Sequence, residues 1–249
     1  MGGGPCAVLG RAQGSPPLGP TIDKVGTFEP IVRVLPKPQR TLWEELRPTP
    51  TNFVLYGGTA LALRLGHRQS QDFDFFSTGV FEPHELLSTV NYLRGVKVVQ
   101  AATNTLTVIV DRGAPIQLSF FGGLGLRRIG EPDLCPENQV QVASLLDLAG
   151  CKAELVQHRA EAKDYRDIAA LQAAGIAIET ILAAGQAVFG PRFDPGRTLR
   201  ALAFFEDGNL PELAPEIQAR LQSAVEDVNL TALPVLPSRE GLSKSEEER

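Results

Sequence analysis

Cysteine is scarce in this 249-residue chain, with only Cys6, Cys135 and Cys151. They are widely spaced, and with three histidines they form no Cys-x-x-Cys or Cys/His cluster of the kind that binds zinc. A disulfide framework and a structural zinc site are therefore not expected, and a reducing compartment is. Long apolar runs are also missing. Nothing approaches the ~18 consecutive apolar residues of a membrane helix, and the first twenty residues, MGGGPCAVLGRAQGSPPLGP, lack the apolar core of a signal peptide. The expectation is a soluble, cytoplasmic protein with no membrane partner. Basic excess is lacking too: a net charge of -5 provides no global positive field, so a nucleic-acid partner would have to be held by a local patch. What is plentiful is apolar residues, at 43% against 21% charged, enough for one large domain or two small ones.

The expected class is α+β, a small mixed-sheet domain followed by a helical bundle. Residues 1–40 are rich in Gly and Pro and read as a flexible arm; residues 41–135 alternate strand and helix patterns; residues 136–236 are almost wholly helical; residues 237–249 read as a disordered tail. Within the mixed part, strands are expected at Asn52–Tyr56, Asp72–Phe76, Val96–Ala101, Thr105–Val110 and Ile116–Phe121, the last two joined as a hairpin across Asp111 to Ala114. Helices are expected from Thr59 to Leu65 and from Glu82 to Arg94. Beyond it, helical spacing runs from Val140 to His158 and again from Asp164 to Ala173, with further helices near 178–189, 197–205 and 211–228.

Chemistry concentrates in YGGTALALRLGHRQSQDFDFF, residues 56–76. Alternation on a strand sends Asp72 and Asp74 to one face, roughly 6.5–7 Å apart at the backbone, and Phe73 and Phe75 to the other. Two carboxylates so placed can converge on Mg²⁺, or Mn²⁺ in its place. Gly57 and Gly58 immediately before a helix let backbone N–H groups approach an anion, and Thr59 adds a hydroxyl. Arg64 and Arg68 are candidates to neutralise phosphate, although Arg64 fits the solvent side of its helix equally well. Ser70 can orient the loop before the aspartates, and His67 reads as a structural histidine. Alone, a Gly-Gly or an Asp-x-Asp marks only a turn or a surface. In this order they form a phosphate cradle beside a metal, the setting of phosphoryl or nucleotidyl transfer.

A second charged group lies in LLDLAGCKAELVQHRAEAKDYRDIAAL, residues 145–171. Lys152 sits in an apolar run, where a lysine either snorkels or reaches inward to an anion. Lys163, Asp164 and Asp167 open the next helix. A solvated charged face is the plainer reading of these three, and Arg127 and Arg128 fit a solvated surface as well as an RNA contact.

Both stretches together, and the segment RFDPGRTLRALAFFEDGNL, resemble the AbiEii/AbiGii nucleotidyltransferase-toxin family over about Trp43 to Leu236. The resemblance implies a nucleotidyltransferase domain at 41–135 and a nucleoside triphosphate bound between it and the helical domain. By the resemblance Gly57, Gly58 and Thr59 would hold the triphosphate and Asp72 and Asp74 would bind catalytic Mg²⁺; with the reading of the residues themselves, Arg64, Arg68, Ser70, Lys152 and Lys163 join the nucleotide-binding set. Lys152, Asp164 and Asp167 would complete the catalytic set. It further implies a type IV toxin whose regulator is an antitoxin protein, with RNA, transfer RNA included, or a protein as acceptor. One departure stands out: a third carboxylate usual on a later strand falls at Ser119. Either Asp164 or Asp167 supplies it, or one metal suffices, or the chain binds nucleotide without turning it over. Transfer of the γ-phosphate, as in a kinase, is a further reading that the cradle leaves open.

Overall fold

The computed structural model describes residues 28–244. In chain order these form α1 (Lys37–Glu45), β1 (Val54–Tyr56), α2 (Gly57–Leu65), β2 (Asp72–Phe76), α3 (Pro83–Thr89), β3 (Lys97–Ala102), β4 (Thr105–Asp111) and β5 (Pro115–Phe121). Three short strands follow, β6 (Arg127–Arg128), β7 (Asp133–Leu134) and β8 (Gln141–Val142). The helices α4 (Leu145–Leu155), α5 (Ala162–Ala173), α6 (Ile178–Phe189), α7 (Pro195–Leu202) and α8 (Pro215–Glu226) come next, and β9 (Arg239–Glu240) is last.

One mixed sheet has the order β3-β4-β5-β2-β1-β8-β7. At its centre β2 lies antiparallel to β1 and parallel to β5, with Asp72 opposite Gln117, Asp74 opposite Ser119 and Phe76 opposite Phe121. Alternation decides what each face does. Phe73 and Phe75 are fully buried, Phe75 stacked on Phe120 at 5.1 Å, while Asp72, Asp74 and Phe76 face the other way. The expected hairpin forms between β4 and β5, its turn held by the Asp111 carboxylate accepting from Gly113 N–H at 2.8 Å.

The helices pack directly on this sheet. Ser144 caps α4 by accepting from Asp147 N–H at 3.2 Å, and buried Asp147 in turn accepts from Ile129 N–H at 2.6 Å. Burial outweighs these hydrogen bonds and pushes the Asp147 carboxyl up to about 6. Gly150 allows α4 to cross α6 at close range, since a Cβ there would come 2.7 Å from the Ala184 carbonyl oxygen. No single helix among the described residues is long and apolar enough to cross a membrane.

Three departures from the sequence reading have local causes. The arm expected over 1–40 lies outside the described residues up to 27; from Phe28 onward it packs, Leu35 being 1% exposed and Gln39, Leu42 and Trp43 turning one face of α1 inward. The helix expected to start at Val140 starts at Leu145, because residues 141–142 add strand β8 parallel to β1, and the apolar run through both elements hides the break. The tail is also built in as far as it is described: β9 pairs with β6, Leu242 is 1% exposed, and the guanidinium of Arg128 donates to the carbonyls of Glu240, Gly241 and Ser243. Arg128 is thus a buried clasp and not a surface contact for RNA; residues 245–249 lie outside the described range.

Cutting Leu242 back to Ala leaves a cavity costing about 2–4 kcal/mol, which should lower Tm by roughly 5–10 °C. Thermal unfolding followed by circular dichroism tests this, and an unchanged Tm would mean that the last strand does not belong to the core.

Candidate active site

The local sequence forces β1, α2 and β2 into one unit. Helix α2 starts at the residue after β1, without a loop, because Gly57 adopts φ +73 and a Cβ there would collide with the Asp74 carboxylate. Gly58 is equally confined: a Cβ would lie 2.5 Å from Arg68 Nη2 and 3.1 Å from Ser70 Oγ. The buried hydroxyl of Thr59 donates to the Asp72 carbonyl, which pins the helix to the strand carrying the aspartates. Gly66, at φ +66, ends α2 and turns the chain so that Arg68 comes back over the helix start.

These residues line a cleft of about 670 Å³ between the sheet and helices α4 and α5. Gly57, Gly58, Arg68, Ser70, Asp72 and Asp74 form its floor, and Lys152, Arg159 and Lys163 reach it from the helical side. Four cationic side chains therefore face two carboxylates, a balance suited to a polyanion with a metal.

Behind the cationic wall lies a buried cluster. Asp164 and Asp167 are fully buried, and Lys152 Nζ bridges them at 2.8 and 2.6 Å. Arg159 Nε reaches Asp164 at 2.7 Å. Arg68 donates to both oxygens of Asp167, at 2.5 and 2.8 Å, and His67 Nε2 lies 2.7 Å from the same carboxylate. Burial by itself would raise the pKa of both acids. The Arg159 hydrogen bond and Lys152 overcome it at Asp164, and the Arg68 and His67 hydrogen bonds hold Asp167 well below the ordinary carboxylate range.

The dyad has the opposite electrostatics. Neither Asp72 nor Asp74 has an ion-pair partner within 4 Å among the described residues. Burial first, and then the charge of Asp72, push the Asp74 carboxyl up to about 6 despite the pull of Lys152, Arg159 and Lys163. No group of three or more His, Cys, Asp or Glu among the described residues could hold a metal by protein ligands alone. Mg²⁺ nevertheless fits, because it is commonly held by one or two carboxylates together with substrate phosphates.

This geometry is that of a nucleotidyltransferase fold. The family model described as nucleotidyl transferase AbiEii toxin, type IV TA system, matches residues 40–240. The chain belongs to the AbiEii toxin family. An uncharacterised protein of Aquifex aeolicus (strain VF5) is 30% identical over 141 residues, covering 55% of this chain and 66% of that protein, just under two thirds of its length. Among solved structures, MenT4, the nucleotidyltransferase toxin Rv2826c of Mycobacterium tuberculosis H37Rv, superposes with a TM-score of 0.53 at 13% identity over 77% of this chain and 84% of its own. At that identity the likeness speaks for the fold alone.

In this AbiEii chain the expected site residues divide into three groups. Gly57, Gly58, Arg68, Ser70, Asp72, Asp74, Lys152 and Lys163 all line the cleft. Thr59, Asp164 and Asp167 do not: the Thr59 hydroxyl braces β2, and the two acids hold Lys152, Arg68 and Arg159 in place. Arg64 is a correction. Its guanidinium donates to Ala143 O at 2.7 Å, Val142 O at 3.0 Å and Asp133 at 2.7 Å and lies over the Phe28 ring, so it ties α2 to β7 and β8 and does not line the cleft.

Ser119 stands beside Asp74 in register, 2% exposed, with Thr107 Oγ1 3.4 Å from its hydroxyl. Strand β5 therefore brings no carboxylate to the dyad. Asp164 and Asp167 lie behind the cleft lining, each paired with cations. The sequence reading did not place Gln69, Gln71, Gln117, Phe76, Phe121, Leu155 and Arg159 in the site. For Gln117 and Phe121 a signal existed, because they share period-two alternation with Ser119.

Two outcomes test this electrostatic layout. Asp167→Asn should cost about 3–5 kcal/mol at pH 7, because Lys152 and Arg68 lose a buried counter-charge. The folded-state pKa of Asp167 is depressed, so its stabilisation is full above the unfolded carboxylate pKa and is lost as pH falls below it; urea midpoints between pH 7 and pH 3 should therefore drop more for the wild type than for the variant. Equal drops would count against the cluster. Separately, millimolar Mg²⁺ alone should raise the Tm of the wild type and leave that of Asp72→Asn/Asp74→Asn unchanged.

Proposed function

We propose that the protein is a Mg²⁺-dependent nucleotidyltransferase toxin of a type IV toxin-antitoxin system, moving a nucleoside monophosphate from an NTP to an RNA or protein hydroxyl under control of an antitoxin protein. The observation that carries the reading is the juxtaposition, in one cleft, of the glycine-started helix α2, an aspartate dyad without counter-ion and a cationic wall fixed from behind.

Each group has a part. The first N–H groups of α2, with Ser70 and Arg68, take the β- and γ-phosphates; Lys152 and Arg159 neutralise them, and Lys163 closes the rim. Because Arg68 and Lys152 are held by buried carboxylates, they are aligned before the nucleotide arrives, and little reorganisation is left for the reaction itself. A divalent cation bound by Asp72 and Asp74 supplies Lewis-acid neutralisation of the phosphoryl oxygens. The acceptor oxygen bonds to the α-phosphorus, the bond to the β-phosphate oxygen breaks, and pyrophosphate leaves. The hydroxyl proton is lost to solvent, since β5 offers no carboxylate to receive it.

Incubation with each α-³²P-labelled NTP, Mg²⁺ and total cellular RNA, resolved on denaturing gels, tests the proposal. Label should appear on RNA or protein and fall by at least about 10³-fold in Asp72→Asn/Asp74→Asn, the scale expected when a principal electrostatic stabiliser is removed. Label transferred only from γ-³²P-NTP would make the protein a kinase. Mg²⁺-dependent nucleotide binding without transfer of any label would make it a binding module in which Ser119 marks lost catalysis.

A further inference from the structure

Beyond the phosphate cradle, the face of β2 that carries the dyad ends in an aromatic step. Phe76 lies two residues past Asp74 on the same face, and Phe121 stands opposite it on β5. Phe76 is stacked on Tyr56 at 4.9 Å and 11°, which fixes its ring, and Phe121 meets it edge-on at 5.8 Å and 84°. Both are partly exposed and line the cleft, and Leu155 comes down to the same cleft from α4. Phe121 rests on Phe76, which packs against the hydrophobic core, and both Phe121 and Leu155 keep part of their apolar surface open to the cleft.

Position says which substrate meets this step. The sheet order β5-β2-β1 places the glycine turn, which leaves β1, on one flank of the dyad strand and Phe121 on the other. Along the strand, Tyr56 is level with Asp74 and the antiparallel chain continues into Gly57 toward Asp72, whereas Phe76 lies in the opposite direction. The phosphates that leave are therefore held on one side of Asp74 and the aromatic step lies on the other. Phosphoryl displacement proceeds in line, with nucleophile and leaving group on opposite sides of phosphorus. The aromatic step is thus on the acceptor's side.

We infer that Phe121, braced at a right angle against Phe76, offers the stacking face for the terminal base of a single-stranded RNA acceptor, presenting its sugar hydroxyl to the dyad. A rigid aromatic face accepts any base and adds affinity with little sequence preference. The inference rests on the transferase reading for the direction of attack, but binding can be measured without transfer.

The experiment uses the full chain and a short single-stranded oligoribonucleotide with 2-aminopurine at its terminal position, whose fluorescence is quenched by stacking. Wild type should bind and quench it. Phe121→Ala should lose the quench and bind about tenfold or more weakly, Phe121→Trp should restore both, and NTP affinity should stay constant in each, with thermal unfolding confirming that the variants fold. Binding and quench unchanged in Phe121→Ala would overturn the inference. So would weakened NTP binding with intact RNA binding, which would give the platform to the incoming nucleotide, or a wild type that labels protein and ignores the oligonucleotide. A wild type that transfers no label but shows the quench and its loss in Phe121→Ala would remove the transferase reading and leave the platform standing.

Discussion

The site depends on one arrangement of charge, the buried pair Asp164 and Asp167 with Lys152 between them. Placing two carboxylates out of water is costly unless every oxygen is met by a cation or donor. Here Lys152, Arg159, Arg68 and His67 meet them. Arg68 comes from the sheet side and the two acids from the helical side, so the same contacts that neutralise the acids also fix the width of the cleft. Arg68, Lys152 and Arg159 line the cleft on one side and meet the buried anions on the other.

The dyad is the complement of that cluster. Asp72 and Asp74 are left without a partner a short distance from groups that are fully paired, and burial holds Asp74 in a state that resists ionisation. Asp72 is exposed and is solvated at no cost, but a fold minimising its energy would pair Asp74 or remove it. Retaining Asp74 unpaired is a local cost that a ligand at the cleft would offset.

Much of this was legible in the sequence because it depends on short-range rules. Period two on DFDFF predicted which side chains share a face, and Gly57-Gly58 at a helix start predicted a backbone packed too closely for a Cβ. Lys152 in an apolar run marked an inward-facing cation. What escaped depended on contacts across long separations. Arg64 and Arg68 are one helical turn apart, and only the left-handed Gly66 between them sends one to the cleft and the other to strands nearly eighty residues later. Asp164 and Asp167 read most plainly as a solvated face, because type and spacing cannot say that a carboxylate is buried against cations from elsewhere in the chain. The break at Val140 was invisible for a similar reason, since a short buried strand and the start of a buried helix have the same composition.

Arg68 and Asp167 are separated by 99 residues, and β1 pairs in parallel with β8 across a comparable stretch. Contacts of that range form late, because the intervening chain must be brought to order before they give anything back. Strands β2 and β5 pair across a shorter span of chain, whereas the cationic wall of the cleft needs Asp164 and Asp167 from α5. The geometry of the cleft is thereby tied to completion of the fold: a chain that stops anywhere between Arg68 and Asp167 beyond β2 still carries the dyad, but not the carboxylate that fixes Arg68 beside it.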